Sequence, residues 1–154
     1  PWTVRLFKLV RARWFADLMH FPDSESLGIK CPRVRQFVKQ ALESDGDYGR
    51  SGVPATMVLE HRRMVDAAMK LLHRVKQPTL ILHSQEDDYA ALNNAQYLKD
   101  ELAGQVDMVV LNDSYHMITL DKQRQVVVER TRDFVARIVE EVRHIAAPAL
   151  PLAA

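Results

Sequence analysis

The sequence predicts an α/β fold with parallel strands and a sheet that is incomplete within the chain. Two short apolar runs, residues 79–83 and 106–111, have the length and character of buried strands, the first introduced by Pro78. A helical segment lies between them, so they read as one strand–helix–strand crossover, which is right-handed by the general rule. Residues before 76 read only as helices and loops. Two strands alone make a poor parallel sheet, because such sheets need further strands and helices on both faces.

Taken in order, residues 3–20 have helical character, with Leu6, Leu9, Val10 and Trp14 set among basic residues. Phe21-Pro22-Asp23-Ser24 breaks that pattern. A second helix covers residues 33–43, starting just after Pro32. Residues 44–54 hold three of the five glycines and read as a loop. A longer helix is expected over 55–75, where Val58, Val65, Met69 and Leu72 share one face. After the first strand, residues 93–103 are helical and stop at Gly104. Asp121 is a good N-cap for a final helix to about residue 144, with Val127, Thr131, Phe134, Ile138, Val142 and Ile145 as its buried stripe. The tail, 146–154, is alanine, proline and leucine without a period and reads as a frayed end.

Composition narrows the function. A chain of 154 residues fits one domain and can bury a core, and 47% hydrophobic with 27% charged residues is ordinary for a globular protein. A net charge of +1 gives no strong general attraction to nucleic acid or anionic membrane. The single cysteine, Cys31, excludes an internal disulfide and a cysteine-based zinc site, and it is compatible with a cytoplasmic location. No apolar run approaches the roughly 18 residues that span a bilayer. The chain begins at Pro1, and its first residues lack the apolar core of a signal peptide, so a fragment or processed product is the expected reading.

The residues suited to chemistry follow the two strands. The first ends in Glu86-Asp87-Asp88 and the second in Asn112-Asp113-Ser114-Tyr115-His116. In a crossover both strands point the same way, so these loops emerge on one edge, where open α/β sheets place their sites. Adjacent strands lie about 4.8 Å apart, which lets the two loops meet. A buried carboxylate that accepts the imidazole Nδ1–H fixes the tautomer and leaves the other nitrogen to take a proton from a nucleophile. Spacing alone leaves open which of the three acids would do this.

The run Pro-Thr-Leu-Ile-Leu-His-Ser-Gln-Glu-Asp-Asp, then Asn-Asn-Ala-Gln-Tyr, then Asp-Ser-Tyr-His-Met-Ile-Thr-Leu-Asp resembles the C-terminal part of bacterial carboxylesterases and monoacylglycerol lipases of the α/β-hydrolase superfamily, the S33-type hydrolases included. His116 to Asp121 is the most specific piece, and the resemblance covers about residues 76–135 firmly. It implies the C-terminal part of an α/β-hydrolase fold, a helical cap followed by strand–helix–strand–helix. Residues 1–54 would then be cap or lid helices, 55–145 the core segment and 146–154 a flexible tail. In this register Asp87 is the triad acid and His116 the triad base. Ser84 stands where relatives usually have glycine. The implied substrate is a small acyl ester, with no metal or organic cofactor.

The family's nucleophile motif, Gly-x-Ser-x-Gly, is absent from these residues. Gly49-Arg50-Ser51-Gly52-Val53 has a serine two after a glycine, but no strand precedes it and position 53 is valine, so Ser51 is dismissed. The chain alone is therefore expected to be inactive. His61 and His73, twelve apart on one expected helix, lack the pattern of a zinc site. His83 is expected to be a satisfied core histidine, with a place lining the site as the alternative, and His20 and His144 surface residues. The acidic cluster lacks the ligand spacing of a calcium loop. Trp2, Phe7, Trp14 and Phe15, interleaved with Arg5, Lys8, Arg11 and Arg13, suggest either weak contact with a lipid surface or a cap helix over an acyl pocket. The unpaired strand edges predict self-association. The competing readings are an inactive truncated remnant, a helical interaction module, and a relative acting on amides or peptides.

Overall fold

The computed structural model describes residues 20–21, 25–44 and 53–146. The helix expected before residue 20, its aromatic and basic residues, Ser51 and the tail beyond 146 lie outside the described residues. Chain order is β1 (His20–Phe21), α1 (Pro32–Ser44), β2 (Val53–Pro54), α2 (Ala55–Met69), a 3-10 turn at Leu72–Arg74, β3 (Thr79–Ser84), α3 (Leu92–Glu101), β4 (Val106–Leu111) and α4 (Arg124–Ala146).

β3 and β4 pair in parallel, from Thr79 against Val106 to Ser84 against Leu111. The Thr79 amide donates to the Gln105 carbonyl at 2.9 Å and the Gln85 amide to the Leu111 carbonyl at 2.8 Å. Because strand groups alternate, the backbone of Leu80 and Leu82 faces the opposite edge, which pairs with no strand among the described residues. α3 and α4 pack on this pair. Arg137 of α4 forms an ion pair with Asp107 of β4, and its guanidinium stacks 5.3 Å from the Phe134 ring centre. Gly104 fits where a Cβ would lie 2.5 Å from the Gln77 carbonyl oxygen, and its amide donates to the Val75 carbonyl at 3.0 Å. That close approach joins the α3–β4 turn to the start of β3.

Several expectations need correction. The helix of residues 55–75 ends at Met69 and tightens into the 3-10 turn, so His61 and His73 do not share a helix. The apolar spacing runs on through Leu72, which is why periodicity hid the break. Residues 53–54, read as loop, pair antiparallel with 20–21. The final helix begins at Arg124, and Asp121 does not cap it: its carboxylate binds loop amides, described below. Of the expected stripe on α4, Val127 is buried but Thr131 is exposed and Val142 is 58% exposed. Two strands offer only a short surface, and the C-terminal half of α4 has nothing among the described residues to bury against.

Among the described residues the buried apolar ones are Ile29, Ala55, Ala95, Leu111 and Val127. The buried polar ones, Ser84, Ser114 and Asp121, all lie at or beyond the C-terminal ends of β3 and β4. That edge is where the acid and histidine loops emerge.

Candidate active site

Asp87 sits three residues beyond β3, with a side chain only 5% exposed. Its Oδ1 accepts the amides of Tyr89 at 2.8 Å and Ala90 at 2.7 Å, an Asx-type turn that leads the chain toward α3. Its Oδ2 lies 2.9 Å from Nδ1 of His116, and Oδ1 lies 3.1 Å from the same nitrogen. Burial pushes the carboxyl's pKa up, but the Ala90 amide, His116 and the Tyr89 amide outweigh it and hold it below the ordinary aspartate value. Asp87 therefore stays ionised and can hold the Nδ1–H tautomer of the imidazole. Nε2 is then the nitrogen left to exchange a proton, on a side chain 45% exposed.

The three neighbouring acids have three different partners. Glu86 pairs with Lys30 at 2.7 Å, and Asp88 accepts the Ser26 hydroxyl. Asp87 is the one at His116, a choice that spacing could not make. His83, at the end of β3, is 15% exposed; its Nδ1 lies 2.7 Å from the Ser84 carbonyl and its Nε2 3.7 Å from Asp87. His144 is exposed on α4.

The loops are tied to each other through buried hydroxyls. Ser84 donates to the Ser114 carbonyl and accepts the Glu86 amide at 3.2 Å, so one side chain spans the acid loop and the histidine loop. Ser114 accepts the Gln123 amide at 3.3 Å. Ser84 thus has a definite local use.

Residues 26–31 close over both loops, and this sequence reasoning missed. The Met117 amide donates to the Gly28 carbonyl at 2.7 Å. Gly28 has φ +68°, and a Cβ there would come within 2.9 Å of the His116 Cβ. The Asp121 carboxylate, fully buried, accepts four backbone amides: Lys30 at 2.7 Å and Tyr115 at 2.8 Å on Oδ2, Cys31 at 2.8 Å and Lys122 at 2.9 Å on Oδ1. Burial raises its pKa, but those amides prevail and keep it below the ordinary value. Lys30 bridges Glu86 at 2.7 Å and Asp113 at 2.9 Å, and these carboxylates hold its ammonium well above the usual lysine range. The only signals in the sequence were a lone glycine before Pro32 and an aspartate five after the histidine, and both have commoner explanations.

A groove of about 530 Å³ runs along the open side of β3, lined among others by Leu82, His83, Asp87, Leu98, His116 and Ile118. Among the described residues no group of three or more His, Cys, Asp or Glu could hold a metal ion. No helix among them is long and apolar enough to cross a membrane.

Comparison with known proteins gives two findings. Residues 2–123 match the family described as serine aminopeptidase, S33. The chain is also 25% identical over 122 residues to a thermostable monoacylglycerol lipase of Bacillus sp. (strain H-257), an alignment covering 79% of this chain and 44% of that relative. The chain thus spans less than half the length of the curated relative it matches.

Proposed function

Since the chain belongs to the serine aminopeptidase S33 family of α/β-hydrolases, we propose that it supplies the acid and base of a Ser–His–Asp triad that hydrolyses carboxylic esters. The observation that carries this is the Asp87–His116 pair: a nearly buried carboxylate, 2.9 Å from Nδ1, at the strand edge where such sites are built.

The nucleophile belongs to a part of the enzyme beyond these 154 residues, because they contain no Gly-x-Ser-x-Gly. The serine Oγ bonds to the ester carbonyl carbon while Nε2 of His116 takes its proton. As the tetrahedral intermediate collapses, the C–O bond to the alcohol breaks and Nε2 returns the proton to the leaving oxygen. Water then attacks the acyl-enzyme by the same route, and the acid is released with the serine restored. Asp87 keeps Nδ1 protonated throughout and stabilises the imidazolium. The similar lipase supports a monoglyceride as substrate; another ester of short or medium acyl chain is the alternative, and no step needs a metal or cofactor. The single cysteine favours a cytoplasmic location. The open edge of β3 would take the next strand of the complete sheet, and in the isolated chain it favours self-association through a second copy.

The test starts from the coding DNA upstream of Pro1, which should encode in frame a strand followed by Gly-x-Ser-x-Gly. The product of the complete reading frame should hydrolyse p-nitrophenyl butyrate, and His116→Ala or Asp87→Asn should each lower kcat about 10⁴-fold. Vigorous turnover by the 154 residues alone, or full activity of either variant, would overturn the reading. A start codon next to Pro1 would leave an inactive remnant or a binding module.

A further inference from the structure

We infer that Asp121 is a positioning residue for the acid–base pair: with residues 26–31 it forms a clasp that fixes where His116 stands relative to Asp87. The inference rests on the triad reading of that pair and adds a part to it. Its physical basis is convergence. Within six residues the segment reaches the acid loop through Ser26 to Asp88 and Lys30 to Glu86. It reaches the histidine loop through the Gly28 carbonyl to Met117, Lys30 to Asp113, and the amides of Lys30 and Cys31 to Asp121. Asp121 is the hub, because its other two amides, Tyr115 and Lys122, lie on the loop that carries His116.

Each carboxylate oxygen accepts two N–H groups, a load no neutral side chain of this size can carry. In Asp121→Asn, one oxygen becomes an NH₂ that faces two amide donors. Two contacts are lost whichever way the amide turns. One of each pair joins residues 30–31 to the carboxylate, and the other joins the histidine loop, so the clasp is left with a single link to each side. α1 starts at Pro32, directly after the clasped amides, so the same contacts join the segment ahead of the site to its chemistry.

The test uses the full 154-residue chain and reads His116 directly by ¹⁵N NMR of its imidazole. In the unaltered protein the ring should be held in the Nδ1–H tautomer. In Asp121→Asn the population of that tautomer should fall about twofold as the ring gains freedom to leave Asp87, with the β3–β4 amide resonances retained. An unchanged His116 spectrum in a folded Asp121→Asn protein overturns the inference. If that variant does not fold, Lys30→Met carries the test, since it removes the bridges to Glu86 and Asp113 and leaves Asp121 its amides. A loss of the Nδ1–H tautomer there supports the clasp, and an unchanged spectrum refutes it. Asp87→Asn separates the two levels of argument. If it fails to move His116, the acid–base pair itself falls, and the clasp with it; if it moves His116 while the Asp121 and Lys30 variants do not, only the clasp falls.

Discussion

Replacing Gly28 by alanine should destabilise the fold far more than one added methyl group suggests. The residue has φ +68°, in the left-handed region, and Leu27 before it is also left-handed at +51°. An L-residue with a Cβ costs about 1–2 kcal/mol there, a cost glycine avoids. The added carbon would also lie 2.9 Å from the His116 Cβ, 3.2 Å from the Met117 Cγ and 3.4 Å from a ring carbon of Tyr89. Carbon atoms prefer about 3.5–4.0 Å, so the first two contacts are repulsive. The Met117 side chain can turn away. The His116 Cβ cannot, because it is fixed to a backbone whose next amide is bound to the Gly28 carbonyl at 2.7 Å. Moving the loop adds the usual penalty of overpacking, about 1–3 kcal/mol.

The total is about 2–5 kcal/mol, a large share of the stability of an ordinary domain. Urea unfolding followed by circular dichroism should show a lower midpoint with an unchanged slope, the sign of lost stability without a change in unfolded-state compactness. A loss below about 0.5 kcal/mol, the size of an ordinary surface substitution, would refute the argument. It would mean that the 26–31 segment does not lie against the histidine loop in solution.

Acid should unfold the protein through Asp87 and Asp121. Both carboxyls are held below their ordinary value, so each contributes stability that is complete above about pH 4 and is lost as pH falls through the depressed folded-state value. Urea midpoints between pH 7 and pH 2 should fall over that acid window, and less steeply in Asp121→Asn; a variant with the same slope would show that Asp121 does not contribute. Ser84→Ala should cost about 1–3 kcal/mol, because it leaves the buried Ser114 carbonyl without its hydroxyl donor and the Glu86 amide without its acceptor. A thermal midpoint unchanged from the parent protein would rule out that link between the loops.

The parts of this molecule that could be read from its sequence are the parts fixed by local pattern. The apolar run after Pro78 and the run ending at Leu111 gave both strands, since short apolar stretches next to turn residues have few other uses. That the acidic run 86–88 would meet His116 was legible because one crossover brings the ends of two parallel strands together whatever the residues between them, whereas Asp87 itself was singled out only by the family resemblance. What stayed hidden was set by contacts distant in sequence. Asp121 looks like a helix cap from its neighbours alone, and only the amides of Lys30 and Cys31, some ninety positions away, show its other use. The choice among Glu86, Asp87 and Asp88 likewise depended on Lys30 and Ser26, which claim the first and last. The stripe on α4 failed for a related reason. Its period is helical, but periodicity reports only which face could be buried, and with two strands beneath it Val142 stays exposed.

The distribution of buried groups explains why the site can be well ordered on so slight a core as the described residues form. Of the five buried apolar residues among those described, Ala55 and Ala95 are small, and several large apolar side chains such as Phe37 and Met64 are exposed instead. Packing of that kind specifies position weakly. Around Asp87 and His116 the buried groups are instead Ser84, Ser114 and Asp121, and no buried polar side-chain atom among the described residues lacks a partner. Satisfied hydrogen bonds are directional, so they fix distances that apolar contacts leave loose. The proposed triad would tolerate little displacement, because a shift of about 1 Å can cost two orders of magnitude in rate. The strand ends therefore carry polar buried residues at the positions where accuracy matters, and the cost of burying them is offset by complete hydrogen bonding. On this argument, losing a single acceptor at Asp121 or Ser84 should disturb the Asp87–His116 contact before it disturbs the β3–β4 ladder.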